Sequence, residues 1–170
     1  VAHLGANQSN VPVETIEADH PLRVERYGFV ADSGGPGKQR GGLAIERVFK
    51  LLADEATLTV RSDKRRFPPF ALAGGKPGSG SLNELNPGTA SARTLPVLIT
   101  EPVALKRGDV FRHVLASGGG WGDPLARDPE RVRIDVVTGR VTIDGARRDY
   151  AVAIVLGADG PAVDAAETQR

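Results

Sequence analysis

The sequence predicts a mainly β, α+β domain: a curved or sandwiched antiparallel sheet followed by two short C-terminal helices. Three observations lead there. Short segments alternate apolar and polar residues, as in Ala56-Thr57-Leu58-Thr59-Val60-Arg61, the pattern of half-buried strands. Glycine (21 residues) and proline (12) crowd the stretches between such segments. Helix-capping signals appear only from Asp128 onward.

Taken in order, Asn7-Gln8-Ser9-Asn10 is a polar cluster read as an ordered turn, because Asn and Ser side chains bond to nearby backbone. Leu22 to Val30 mixes Val, Tyr and Phe with charges and reads as a strand. A second strand is favoured over Leu43 to Leu52, and the alternating stretch Ala56 to Ser62 is a third. Pro68-Pro69 ends regular structure, since neither residue can donate to a ladder. Residues 74–94, rich in Gly, Pro, Ser and Asn, are expected to be mobile, with a turn at Asn86-Pro87-Gly88. Leu95 to Thr100 and Asp109 to Ala116 read as two further strands.

Asp128 is a candidate N-cap with Pro129 at the first helical position and Glu130 next to it. Val132, Ile134, Val136 and Val137 supply an apolar face, and Gly139 marks the stop. Thr142 caps a second short helix carrying Ala146 and Tyr150. Val152 to Leu156 is a short apolar, extended run. One domain is expected over residues 1–157, with 158–170 as a flexible tail.

Composition narrows the function. With 22 basic against 21 acidic residues the net charge is +1, which argues against a dedicated nucleic-acid or membrane-surface binder. Cysteine is absent, so disulfides and thiolate metal sites are ruled out and a cytoplasmic setting is expected. No run approaches the roughly 18 apolar residues of a membrane span. Methionine is absent even at position 1, and the chain is expected to be a trimmed product or part of a longer polypeptide.

The chemistry-bearing residues are sparse. His3, His20 and His113 lack ligand spacing, and no metal site is assigned; His113 reads as a hydrogen-bonded structural histidine. No Ser-His-Asp order or nucleophile elbow occurs. The glycine stretches could cradle phosphate through their amides, yet no dinucleotide or P-loop pattern is present, and tight turns are the preferred reading. Arg61-Ser62-Asp63-Lys64-Arg65-Arg66 is either a solvated edge or an anion clamp oriented by Asp63. Trp121, alone of its kind, either anchors its loop or faces a partner.

Three segments, in this order, carry a resemblance: His3-Leu4-Gly5-Ala6-Asn7-Gln8-Ser9-Asn10-Val11-Pro12-Val13-Glu14; Asp32-Ser33-Gly34-Gly35-Pro36-Gly37 through Arg61-Ser62-Asp63, Phe67-Pro68-Pro69-Phe70 and Gly74-Gly75-Lys76-Pro77-Gly78; and Gly118-Gly119-Gly120-Trp121-Gly122-Asp123-Pro124. Together they resemble the C-terminal part of the hydantoinase B/oxoprolinase family, as far as Leu156. The resemblance implies ATP-dependent hydrolysis of a cyclic amide (hydantoin, N-methylhydantoin or 5-oxoproline). Ketone carboxylation of the acetone or acetophenone type, or a non-catalytic assembly role, are the alternatives. It implies a hydantoinase A-type ATPase subunit carrying ATP and magnesium. A divalent metal is implied in an N-terminal portion of the B component, with no cofactor held by this chain alone. No catalytic acid, base or metal ligand is carried over. The matching candidates for a substrate-facing or interface role are Asn7, Gln8, Ser9, Asn10, Arg61, Ser62, Asp63, Gly118, Gly119, Gly120 and Trp121. The isolated chain is expected to be inactive.

Overall fold

A computed structural model describes residues 10–157 and 160–168. Its centre is a five-stranded antiparallel sheet ordered β1-β2-β7-β4-β5. These strands are β1 (Leu22–Phe29), β2 (Ile45–Leu51), β4 (Leu82–Leu85), β5 (Arg93–Thr94) and β7 (Val110–Val114). A separate ribbon pairs β3 (Glu55–Leu58) with β6 (Val103–Lys106). Before β1 lies a short helix, α1 (Val13–Asp19), with no buried residue.

Register decides what each face of the sheet carries. Leu22 pairs Leu51, Phe49 pairs Phe111, and Phe111 pairs Leu85, so the odd-numbered positions of β2 and β7 build one apolar end. That end closes against Leu95, Leu105, Leu58 and Val103. Further along the same face, Tyr27 pairs Arg47, Arg47 pairs His113, and His113 pairs Asn83. The face thus passes from apolar to polar within two residues of each strand. On the reverse face Glu46, nearly buried, joins Arg26 and Arg112, and Arg112 reaches Glu84 at 2.6 Å. Desolvation acts against the Arg112 charge, yet the two carboxylates hold its pKa above the ordinary value.

Of the tight turns expected of the glycine stretches, one forms at residues 72–75, where Gly75 N donates to Leu72 O (3.0 Å) with Ala73 and Gly74 at positive φ; most of the other glycines serve close main-chain approach. Residues 33–42, 69–79 and 117–122 run beside one another and exchange main-chain bonds: Gly35 N to Gly118 O (2.9 Å), Gly118 N to Gly42 O (2.8 Å), Gly120 N to Lys76 O (3.0 Å) and Lys76 N to Pro36 O (2.7 Å). The amides of Gly41, Gly75, Gly78 and Gly122 donate to carbonyls of the same segments. Seven of the glycine amides that a phosphate could use, those of Gly35, Gly41, Gly75, Gly78, Gly118, Gly120 and Gly122, are thus engaged internally. Glycine is required here for approach: a side chain on Gly119 would overlap the Phe70 carbonyl, and one on Gly120 the Pro36 carbonyl.

The C-terminal part has its own core of Val132, Val141, Ala146, Tyr150, Val152 and Ile154. Helix α2 (Pro129–Val137) starts where Asp128 accepts from Glu130 N, and α3 (Ile143–Tyr150) where Thr142 accepts from Gly145 N. Gly139 ends the first helix at φ 68°. Both capping expectations hold. On α2, Val132 is buried, but Ile134 and Val137 are largely exposed and Asp135 is buried instead. Asp135 faces Arg40 (3.1 Å) and Arg127 (2.8 Å), tying the helix to the glycine segments.

Three expectations about elements need correction. Residues 74–94, expected to be mobile, supply the interior strand β4 as well as β5. The strand expected at Leu95 to Thr100 is absent; this stretch instead runs along the extension of β3, with Ser62 N bonded to Val97 O and Ile99 N to Val60 O. Pro96 cannot donate, which limits that ladder. Within the expected tail, β9 (Gly160–Val163) pairs with β8 (Ile154–Gly157), and Val163 packs on the C-terminal core. A two-stranded ribbon is stable there because one face rests on α2.

Candidate functional site

An open cleft of about 610 Å³ is lined by Arg61, Ser62, Asp63, Ser81, Leu98, Leu115 and Ala116. It gathers the three corner residues expected from the sequence. They lie just past β3, where the chain turns through Lys64 at φ 59°. Arg61 and Asp63 are exposed, whereas Ser62 between them is half-buried.

The corner is fixed from behind through its main chain. Ser81 Oγ donates to the Asp63 carbonyl. Arg65 donates to the carbonyls of Ser81 (3.1 Å) and Leu95 (2.6 Å), so this arginine of the charged run is structural. Asn83, wholly buried, donates from Nδ2 to Ser62 Oγ and to Pro96 O, both at 3.0 Å. With its amide hydrogens committed, Asn83 turns Oδ1 toward His113 Nδ1 at 2.6 Å. His113 is thus the hydrogen-bonded histidine expected, and it links the sheet to the corner. Burial, with the positive charge of Arg47, pushes its pKa below the ordinary 6.5, which keeps the ring neutral at pH 7.

A smaller cleft of about 300 Å³ opens on the same face, lined by Asn10, Tyr27, Gly28, Phe29 and Ile45. Arg47 is held here by Asn10 Oδ1 at 2.5 Å and by the Tyr27 ring, whose centroid lies 4.8 Å away. Of the polar N-terminal cluster, only Asn10 falls among the described residues; Asn7, Gln8 and Ser9 lie outside them.

The candidates do not converge on one pocket. Arg61, Ser62 and Asp63 share a cleft and Asn10 lines its neighbour, whereas Gly118, Gly119 and Gly120 take their places in the glycine segments. Trp121 bridges Gln39 and Leu72 through its main chain and leaves its side chain 52% exposed. Tyr27, Arg47 and Leu115 escape sequence reasoning because each looks like an ordinary strand residue, and Ser81 and Asn83 because they sit in the stretch read as mobile, until pairing places them beside their neighbours. Among the described residues no three His, Asp or Glu side chains gather as a metal site would need. No described helix is long and apolar enough to cross a membrane.

Comparison with known proteins adds what this geometry lacks. The model for hydantoinase B/oxoprolinase matches residues 1–124. The B component of a putative D-/L-hydantoinase from a Pseudomonas species is 36% identical over 152 residues, which cover 89% of this chain and 25% of that protein. The crystal structure of the ATP-dependent caprolactamase from Pseudomonas jessenii superposes with a TM-score of 0.78 at 32% identity, over 92% of this chain and 27% of that one. Nucleotide-free acetone carboxylase gives the same TM-score at 25% identity, over 95% and 26%. The chain spans about a quarter of the length of these relatives.

Proposed function

This chain belongs to the hydantoinase B/oxoprolinase family, and from that premise we propose that it is the C-terminal portion of the B component of an ATP-dependent cyclic amidohydrolase. An amide carbonyl is a poor electrophile. Transfer of the terminal phosphoryl group of ATP to its oxygen by an A-type ATPase subunit makes the carbon open to attack. The B component then supports addition of water and cleavage of the ring C–N bond, the nitrogen taking a proton, and a second water hydrolyses the resulting acyl phosphate to carboxylate and inorganic phosphate. Magnesium and ATP belong to the partner in this reading, and a divalent metal to the N-terminal portion of the B component.

Within this scheme, the Arg61–Asp63 corner faces the substrate or the A-type subunit. One observation carries that assignment: the corner lines an open cleft, while Ser81 holds the Asp63 carbonyl, Val97 O takes the Ser62 amide and Asn83 holds the Ser62 hydroxyl, leaving the Arg61 and Asp63 side chains to the cleft. A charged pair on a rigid support suits recognition of an anion or of a partner surface. Alanine at Arg61 and at Asp63 in the full complex should lower turnover and ATP consumption by about tenfold or more. Unchanged rates would refute the role.

A ketone carboxylase is the second reading, favoured by a superposition on acetone carboxylase as good as that on the caprolactamase. Higher identity to the hydantoinase and the caprolactamase than to the carboxylases supports the hydrolase reading over it. Bicarbonate-dependent turnover of a ketone by the assembled complex would reverse that order.

A further inference from the structure

Among the described residues, Arg47 is a cation without a counter-charge. It stands on β2, an interior strand, and is half-buried. Its guanidinium meets Asn10 Oδ1 (2.5 Å), the Tyr27 hydroxyl (3.3 Å) and the Tyr27 ring face; among the described residues no carboxylate lies within ion-pair distance. Residues 1–9 contain no Asp or Glu either. The nearest acid in sequence, Glu46, points to the reverse face and is occupied by Arg26 and Arg112. Partial burial of a lone charge is unfavourable, and Arg47's charge acts on its cross-strand neighbour His113.

His113 offers the complementary group. The Nδ2 contacts of Asn83 to Ser62 and Pro96 fix its Oδ1 as the atom facing His113 Nδ1. Nδ1 must therefore be the donor, and in the neutral ring Nε2 carries a lone pair. No described residue meets Nε2. An anion-binding fork and a hydrogen-bond acceptor thus stand as a directly opposed pair on adjacent strands, and Arg47 touches Asn10 and Tyr27 of a cleft of about 300 Å³ on the β1 side.

We propose that Arg47 and His113 form a receptor for the ring-opened product of amide hydrolysis: Arg47 holds the new carboxylate, and His113 Nε2 accepts from the new N–H. This deepens the hydrolase reading and rests on it for the choice of ligand. Adding water across a cyclic C–N bond leaves a carboxylate on carbon and an N–H on nitrogen within one molecule. The two groups on the sheet match that pair.

The test uses the 170-residue chain itself, with ¹⁵N NMR of the Arg47 Nε and His113 ring nitrogens during titration with three probes: N-carbamoylglycine, acetate and urea. N-carbamoylglycine should shift both signals along one saturable curve. Acetate should shift Arg47 alone, and urea neither. Arg47→Gln should weaken binding of the ureido acid by about tenfold or more, as loss of a charge-assisted bond does. The idea fails if no carboxylate probe moves Arg47, if the two signals saturate separately, or if Arg47→Gln binds as tightly. Should that variant not fold, the joint shift in the unsubstituted chain still decides. Binding here is measured without turnover, so a negative result leaves the hydrolase reading standing. Conversely, an inactive complex would leave a positive binding result intact.

Discussion

The carbonyl oxygen of Phe70 occupies the space where a side chain on Gly119 would begin. Main chain meets main chain, so neither side can yield by rotating a side chain. Gly119→Ala should therefore destabilise by on the order of 3 kcal/mol or more, above the usual range for small-to-large changes in mobile surroundings. Gly42→Ala, where nothing lies within 4 Å of the added carbon, is the control and should stay within about 1 kcal/mol. Urea denaturation of both variants checks the contrast.

Asp135 is the second expected weak point. Its carboxylate is 3% exposed and takes Arg40 and Arg127 from elements more than 90 residues and 8 residues away. Asp135→Ala should cost roughly 3 to 5 kcal/mol, because removing one member of a buried ion cluster leaves the others desolvated. Arg140, at 3.9 Å and half exposed, is a marginal member, and Arg140→Ala should change stability by less than about 1 kcal/mol. Melting curves of the two variants should separate clearly.

Asp32 caps helix α3 from a distance of 110 residues. It accepts from Thr142 N (2.9 Å) and Thr142 Oγ1 (2.6 Å) while sitting at φ 59°. Asp32→Ala loses both bonds and should destabilise by about 1 to 2 kcal/mol. Asp32→Gly loses the bonds but relaxes the left-handed backbone, so it should be less damaging. The order of the two denaturation midpoints tests the assignment.

His113 gives a pH dependence of known sign. Burial first, and the Arg47 charge second, lower its folded pKa from 6.5. As pH falls, the unfolded chain takes up the proton before the folded one does. The stability linked to this residue is therefore complete above pH 6.5 and is lost as pH falls below it, by at most about 1.4 kcal/mol per pH unit. His113→Gln should lose less stability than the unsubstituted chain between neutral pH and pH 5. Parallel urea midpoints across that range would contradict the burial of a neutral ring.

The two C-terminal helices were legible because their signals are local, whereas α1 (Val13–Asp19), with no side-chain cap and no buried residue, was not read. Asp128-Pro129-Glu130, Gly139 and Thr142 each act within one turn of chain, and each sits where it was read. The strands β1, β2 and β7 were legible for a related reason, since β-branched and aromatic content in β1 and alternation in β7 are properties of a few consecutive residues. β4 was hidden among Gly, Pro, Ser and Asn, and its strand character comes from β7 beside it rather than from Leu82-Asn83-Glu84-Leu85. β9 was hidden likewise, because Gly160-Pro161-Ala162-Val163 extends only by pairing with β8 and resting on α2.

By itself, the sequence determined the fold class, the ends of the two C-terminal helices and the family resemblance, and it singled out the corner Arg61-Ser62-Asp63, which lines a cleft. Only the tertiary structure decided what the glycines are for and which groups share a face. The same residue type serves a turn, an anion cradle or a close main-chain contact, and the difference lies in what stands opposite, often 80 residues away, as Gly35 and Gly118 do. Arg47, His113, Asn83 and Ser62 are likewise scattered along the chain and meet through strand register and side-chain hydrogen bonds. Register is a long-range property, fixed by how the whole sheet buries its apolar end.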